Sequence, residues 1–154
     1  MQLDQKAEGE GTIEDILLLN SNEHGTDTST ENEIFSWVQQ NIIRLSKEFG
    51  GLNDPSKRLQ IKNMMNTWRA DVYCFRVSKI NGDISGIVKD LWANKKVKYA
   101  QLEARGTRGG IIILWDSSIW EGEVCEVRVY NITCKFTGKA QDLGWHFSGV
   151  YAPK

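Results

Sequence analysis

The chain has 154 residues, which is enough for one domain and a tail, and its 6 tryptophans indicate a substantial core. Residues 1–33 hold 9 acidic residues and 1 basic residue, a net charge of −8, whereas residues 34–154 hold 11 acidic and 18 basic residues, a net charge of +7. The acidic start argues against a signal peptide, and no apolar run has the length of a membrane span.

The cysteines favour a reducing compartment. Cys74, Cys125 and Cys134 are odd in number, lack a C-x-x-C spacing and each lie in an apolar run. We predict buried, reduced thiols and an intracellular protein, nuclear or cytoplasmic. His24 and His146 have no cysteine or carboxylate at metal-site spacing, so a zinc site is not expected.

Residues 1–33 have the composition of a disordered acidic tail, rich in Glu, Asp, Gly, Ser, Thr and Asn. The tail contains one short apolar patch, residues 13–19. This patch is interpreted either as a docking motif for a partner's groove or as a transient helical turn.

An amphipathic helix is predicted over residues 34–50. Its apolar stripe has spacings of 3, 4, 3 and 4, and Gly50 and Gly51 end it. The helix either docks a partner, through residues 34–49, or packs on its own domain. The stripe consists of Phe35, Val38, Ile42, Leu45 and Phe49.

Two further helices enclose a strand. Asp54 and Pro55 are typical of an N-cap and a first helical position, and Asp83 is predicted to cap the second of these helices. Residues 70–75 between them read as a strand. The apolar faces comprise Ile61, Met64, Met65 and Trp68 in the first helix, and Ile84, Ile87, Val88, Leu91 and Trp92 in the second.

From Val97 onward the pattern is β. The loop Gly106–Gly110 has three glycines in five positions, and residues 111–115 form a short, bulky apolar run that predicts a strand buried on both faces. Further strands follow, and the last, residues 145–151, alternates apolar and polar positions. The order predicts a layered α/β or α+β fold, with the domain proper spanning residues 51–154.

Four segments in this order resemble one family: Gly51–Arg58, Trp68–Phe75, Gly106–Asp116 and His146–Pro153. They are similar to the endonuclease domain of plant LINE-type retrotransposons, within the deoxyribonuclease-I-like endonuclease/exonuclease/phosphatase superfamily. The resemblance implies a four-layer α/β sandwich and Mg²⁺-assisted hydrolysis of phosphodiesters, in which a His–Asp pair activates water.

The resemblance also implies that catalytic groups have been lost. Val77 stands where the family has its principal metal-binding Glu, and Arg76 beside it disfavours a cation. Only Tyr151 matches an expected functional residue, a Tyr near the scissile phosphate. The family's catalytic His has no counterpart, because His146 precedes the Tyr motif. An ungapped alignment puts Glu48 where the family has a metal-positioning Asn.

The expected function is therefore a truncated, inactive endonuclease domain with no cofactor, although the intact family uses Mg²⁺. Three alternatives stay open: weak binding of DNA or RNA through the basic body, docking of a protein partner, and residual hydrolysis at a rearranged metal site, perhaps through Glu48. Open sheet edges also predict self-association. The candidate nucleic-acid-binding residues are Lys95, Lys96, Lys98, Arg105 and Arg108.

Overall fold

The computed structural model describes residues 13–19, 42–45, 52, 54–140 and 143–151. They form two helices, α1 (Pro55–Trp68) and α2 (Ser85–Leu91). The strands are β1 (Ile13–Leu19), β2 (Ile42–Leu45), β3 (Val72–Val77), β4 (Val97–Leu102), β5 (Gly110–Asp116), β6 (Trp120–Val127), β7 (Asn131–Gly138) and β8 (Gly144–Val150).

The strands build two sheets in which all hydrogen-bonded neighbours are antiparallel. The larger sheet has the order β2-β1-β3-β5-β4, and the smaller has the order β6-β7-β8. The helices pack on one face of the larger sheet, and the smaller sheet packs on its other face. In the described residues the fold is thus a mixed α+β arrangement of three layers with two apolar cores.

The ends of helix α1 are set by its capping residues, Asp54 and Arg69. The side chain of Asp54 accepts a hydrogen bond of 3.0 Å from the main-chain N–H of Ser56, and Pro55 occupies the first turn. Arg69 closes the helix in the left-handed conformation, with φ of 54°. Ile61 and Met65 face the core, as the apolar spacing predicted.

The strand β5 is the centre of the larger sheet, between β3 and β4. Its residues Gly110–Trp115 are all buried, which confirms the prediction of a strand covered on both faces. Successive side chains alternate between the two cores: Ile112 and Leu114 pack toward the helices, and Ile113 and Trp115 pack toward the smaller sheet.

The two sheets approach each other closely at glycines. A Cβ at Gly149 would lie 2.8 Å from Cγ2 of Ile111, and one at Gly122 would lie 2.7 Å from Cε2 of Trp115. Asp71 adds a polar tie, because its Oδ2 accepts a 2.9 Å hydrogen bond from Nε1 of Trp120 and both residues are buried.

The patch at residues 13–19 is not a disordered or helical segment. It is β1, an interior strand that pairs with β2 on one side and β3 on the other. Ile13, Ile16 and Leu18 join the core under the helices, and Leu19 joins the core between the sheets. The predictions of an acidic tail and of a partner-docking motif are therefore wrong at these positions, because the apolar side chains are buried in the chain's own sheet.

The predicted helix over residues 34–50 is wrong at residues 42–45, which form β2. Ile42 and Leu45 pair with Leu19 and Ile16, so these residues extend the sheet instead of continuing a helical stripe. The other residues of that prediction, including Glu48, lie outside the described ones. Because β1 and β2 belong to the same sheet as β3, the domain begins well before residue 51.

The cysteine prediction is correct for two residues. Cys74 and Cys134 are buried, and burial, reinforced by the charge of Cys125, raises the pKa of the Cys134 thiol to about 11. Cys125 is exposed and lies at the register shift between Val124 and Glu126 of β6. In the part of the chain that the structure describes, neither helix has the length and apolarity needed to span a membrane.

Candidate functional site

One end of the larger sheet gathers most of the residues that the sequence singled out. Ile13 at the start of β1 pairs with Val77 at the end of β3, and Val77 pairs with Gly110 at the start of β5. Antiparallel neighbours bring these chain-distant ends side by side. Tyr151 follows β8 and packs against the same end, beside Gly109.

Tyr151 is held from three sides. Its hydroxyl donates a 2.7 Å hydrogen bond to Oε2 of Glu14, and its main-chain N–H donates one of 2.8 Å to the carbonyl of Tyr130. The guanidinium of Arg76 lies over the ring, 5.3 Å from its centroid. Only 3% of Tyr151 is exposed, so it serves as a buried strut between β8 and β1.

This environment keeps the phenol of Tyr151 neutral. Burial is the main cause that raises its pKa, to about 12, and the hydrogen bond and charge of Glu14 act in the same direction, while Arg76 opposes them. A neutral phenol donates a hydrogen bond at physiological pH. It is therefore poorly suited to act as a nucleophile or a base.

The glycine loop owes its composition partly to this ring. A Cβ at Gly109 would lie 2.5 Å from Cε2 of Tyr151 and 2.6 Å from the carbonyl oxygen of Val77. Any side chain there would collide with both groups, so the close approach of the backbone to Tyr151 requires glycine at this position.

The other half of the glycine loop is a tight hairpin turn. Arg105 and Arg108 exchange two main-chain hydrogen bonds of 3.0 Å around Gly106 and Thr107. Gly106 has a φ of +62°, as the first central position of a type II′ turn requires. The guanidinium of Arg108 donates to the carbonyls of Glu103 and Val129, which ties the turn to the β6–β7 connection.

The five predicted nucleic-acid-binding cations divide between the two ends of β4. Lys95, Lys96 and Lys98 lie at the start of β4, where Lys98 pairs with Trp115. Arg105 and Arg108 follow the end of β4 at Leu102. The strand β4 rises about 3.3 Å per residue, so these groups are separated by well over 10 Å.

The residues at the Tyr151 end do not fit Mg²⁺, which needs several oxygen ligands. Val77 is 0% exposed and aliphatic, and the Glu14 carboxylate already accepts the Tyr151 hydroxyl. Among the described residues, no group of three or more His, Cys, Asp or Glu side chains is arranged to hold a metal ion.

Sequence reasoning missed Glu14, which the fold carries to Tyr151 across a separation of 137 residues. Its signal was the apolar run of residues 13–19, which is short enough for a strand, but the acidic neighbourhood of that run directed the interpretation toward a tail. The structure places His146 on β8 as an exposed side chain, and its partner across the strand pair is Lys135.

No known protein family, no curated protein and no solved structure gives a match to this chain.

Proposed function

We propose that this chain contains an endonuclease domain of the deoxyribonuclease-I-like superfamily that does not hydrolyse phosphodiesters. The proposal rests on the four motifs that resemble LINE endonucleases. It treats the three described layers as part of that superfamily's four-layer sandwich. The observation that carries it is the burial of Val77, at 0% exposure, in the position of the family's metal-binding Glu.

The surroundings of Val77 make replacement of that ligand by a neighbour difficult. Arg76, the next residue on β3, brings a positive charge to the same end of the sheet. Glu14 offers one carboxylate, which is engaged by Tyr151. A single engaged carboxylate beside a guanidinium does not provide the oxygen-rich, near-octahedral shell that Mg²⁺ demands. Without the metal, the phosphate and the leaving oxygen lose their main charge stabilisation.

A nicking assay tests the proposal. Supercoiled plasmid is incubated with purified full-length chain in Mg²⁺ or Mn²⁺, with EDTA and with a mock purification as controls. We expect no nicking above the mock level. EDTA-sensitive nicking that co-elutes with the protein, scales with its concentration and falls in Tyr151→Phe would refute the proposal.

Self-association is a second, independent part of the proposal. In the described residues β4 and β2 are the outer strands of the larger sheet, and β6 and β8 are those of the smaller sheet. Unpaired strand edges template pairing with another copy. Light scattering after size exclusion should reveal a dimer or larger species, and a monomer at all concentrations tested would rule this part out.

A further inference from the structure

A groove of about 800 Å³ opens between three loops beside the Tyr151 end of the larger sheet. One wall is the turn that carries Arg105 and Arg108, and the opposite wall is the β6–β7 connection with Arg128 and Val129. Its floor and third wall include Gln101 of β4 and Asn81 of the loop that follows β3. The volume lies within the range of small-molecule sites.

The walls are fixed relative to one another before any ligand arrives. Arg108 bridges the first two walls through its hydrogen bonds to the carbonyls of Glu103 and Val129. The carboxylate of Glu103 accepts a 2.7 Å hydrogen bond from the N–H of Gly82, which attaches the loop that follows β3 to the same turn. A site whose walls are already in place loses little entropy on binding.

The groove carries an excess of positive charge. Its lining contains three arginines and one glutamate. Arg128 is paired with Glu126, whereas the side chain of Arg105 is exposed and has no hydrogen bond or ion pair among the described residues. A guanidinium without a carboxylate partner, at a concave surface, is suited to a phosphate group, which it can bind through two parallel hydrogen bonds.

Two unsatisfied donors strengthen that preference. Four buried side-chain nitrogen or oxygen atoms lack a hydrogen-bond partner in the described part of the chain, and two of them belong to this groove: Nε2 of Gln101 and Nε of Arg108. Both atoms are donors. Unsatisfied donor groups in the lining favour a ligand that carries negative charge.

The rest of the lining is apolar and suits a flat ring. Val127 is 59% exposed and Val129 is 62% exposed, so both side chains are accessible to a ligand in the groove. Asn81 on the third wall offers an amide, which can pair through two hydrogen bonds with the edge of an adenine. The ligand should therefore combine an anionic group with a planar, hydrogen-bonding base.

We propose that this groove binds a nucleoside monophosphate, with the phosphate on Arg105 and the base between Asn81 and the two valines. The proposal goes beyond the proposed function, since it requires neither hydrolysis nor a metal. The proposal is tested by a binding measurement, whereas the proposed function is tested by a nicking assay, so the failure of one is distinguishable from the failure of the other.

Isothermal titration calorimetry of the full-length chain with adenosine 5′-monophosphate tests the proposal. Adenosine and inorganic phosphate should each bind more weakly than the complete nucleotide. Arg105→Gln should weaken binding by at least about tenfold, because a charge-assisted pair is lost. Val129→Glu, at an exposed position, should weaken binding, because it replaces the apolar contact with the base by a charged carboxylate.

Lys57→Gln is the matched control, since it removes a positive charge from an exposed position on α1, outside the lining of the groove, and should leave binding unchanged. Unfolding curves establish that each variant is folded. Absence of nucleotide binding, equal affinity for adenosine, or an equal loss in Lys57→Gln would overturn the proposal. So would binding of an oligonucleotide without binding of the mononucleotide, which would assign the groove to a nucleic-acid backbone.

Discussion

Removal of β1 should unfold the domain. Ile13, Ile16, Leu18 and Leu19 are between 0% and 4% exposed and lie in both cores. Burial of each such side chain stabilises by about 1.5–3 kcal/mol, so the four together contribute about 6–12 kcal/mol. A domain's total stability is about 5–15 kcal/mol. A fragment of residues 51–154 therefore lacks most of the margin that keeps the remainder folded.

A matched pair of leucines tests the same reasoning within the full chain. Leu18 on β1 is 4% exposed, and Leu59 on α1 is 54% exposed. Leu18→Ala deletes buried atoms and should cost about 2–5 kcal/mol, whereas Leu59→Ala should change the free energy of unfolding by no more than about 0.5 kcal/mol. The measurement is urea unfolding followed by tryptophan fluorescence, with near-ultraviolet circular dichroism for the fragment.

Two outcomes would show that β1 is not part of the core. The first is a cooperative unfolding transition of the fragment 51–154 with the near-ultraviolet spectrum of the full chain. The second is an unfolding midpoint for Leu18→Ala that equals the midpoint for Leu59→Ala. Either result would restore the interpretation of residues 1–33 as a tail.

Three other predictions follow from the packing. Gly122→Ala should lower stability by about 1–3 kcal/mol by overpacking the aromatic core, whereas Gly86→Ala, with no atom within 4 Å of the new Cβ, should raise it by up to about 1 kcal/mol; equal thermal midpoints would contradict this. Trp120→Phe should lower the free energy of unfolding by about 1–3 kcal/mol more than Trp145→Phe, because only the former breaks an indole hydrogen bond. Equal losses in denaturant unfolding would count against a stabilising hydrogen bond between Trp120 and Asp71. The pKa of Tyr151 is raised from 10.0 to about 12 on folding, so its stabilising contribution is complete below pH 10 and is lost as the pH rises toward 12. Tyr151→Phe should flatten the fall in melting temperature over that interval, and an unchanged slope would refute the assignment.

Helices and β-strands after residue 54 were predictable because their signals are local. The cap at Asp54 and the apolar spacing of Ile61 and Met65 act within one or two turns of helix. The buried strand β5 was predictable because a short, uninterrupted run of bulky apolar residues is typical of a strand that is covered on both faces.

Residues 13–19 and 42–45 were mispredicted because these strands depend on partners that are distant in the sequence. Residues 42–45 fit a helical stripe when read with Phe35 and Phe49, and a short run that ends in Ile-Ile-Arg-Leu is also compatible with a strand. Pairing with β1 decides between them, and no local pattern reports that pairing. The acidic residues around residues 13–19 lowered the mean hydropathy and concealed a strand of only 7 residues.

The same dependence on long-range pairing governs the candidate site. The motif positions Val77, Gly109 and Tyr151 could be identified from the sequence. The contact of Glu14 with Tyr151 could not, because it depends on the pairing of β1 with β3. In that arrangement a carboxylate and a guanidinium flank the one tyrosine retained from the resemblance. They hold it as a neutral, buried side chain that contributes to the stability of the fold. The exposed Arg105 belongs to the neighbouring groove, and we expect ligand binding there.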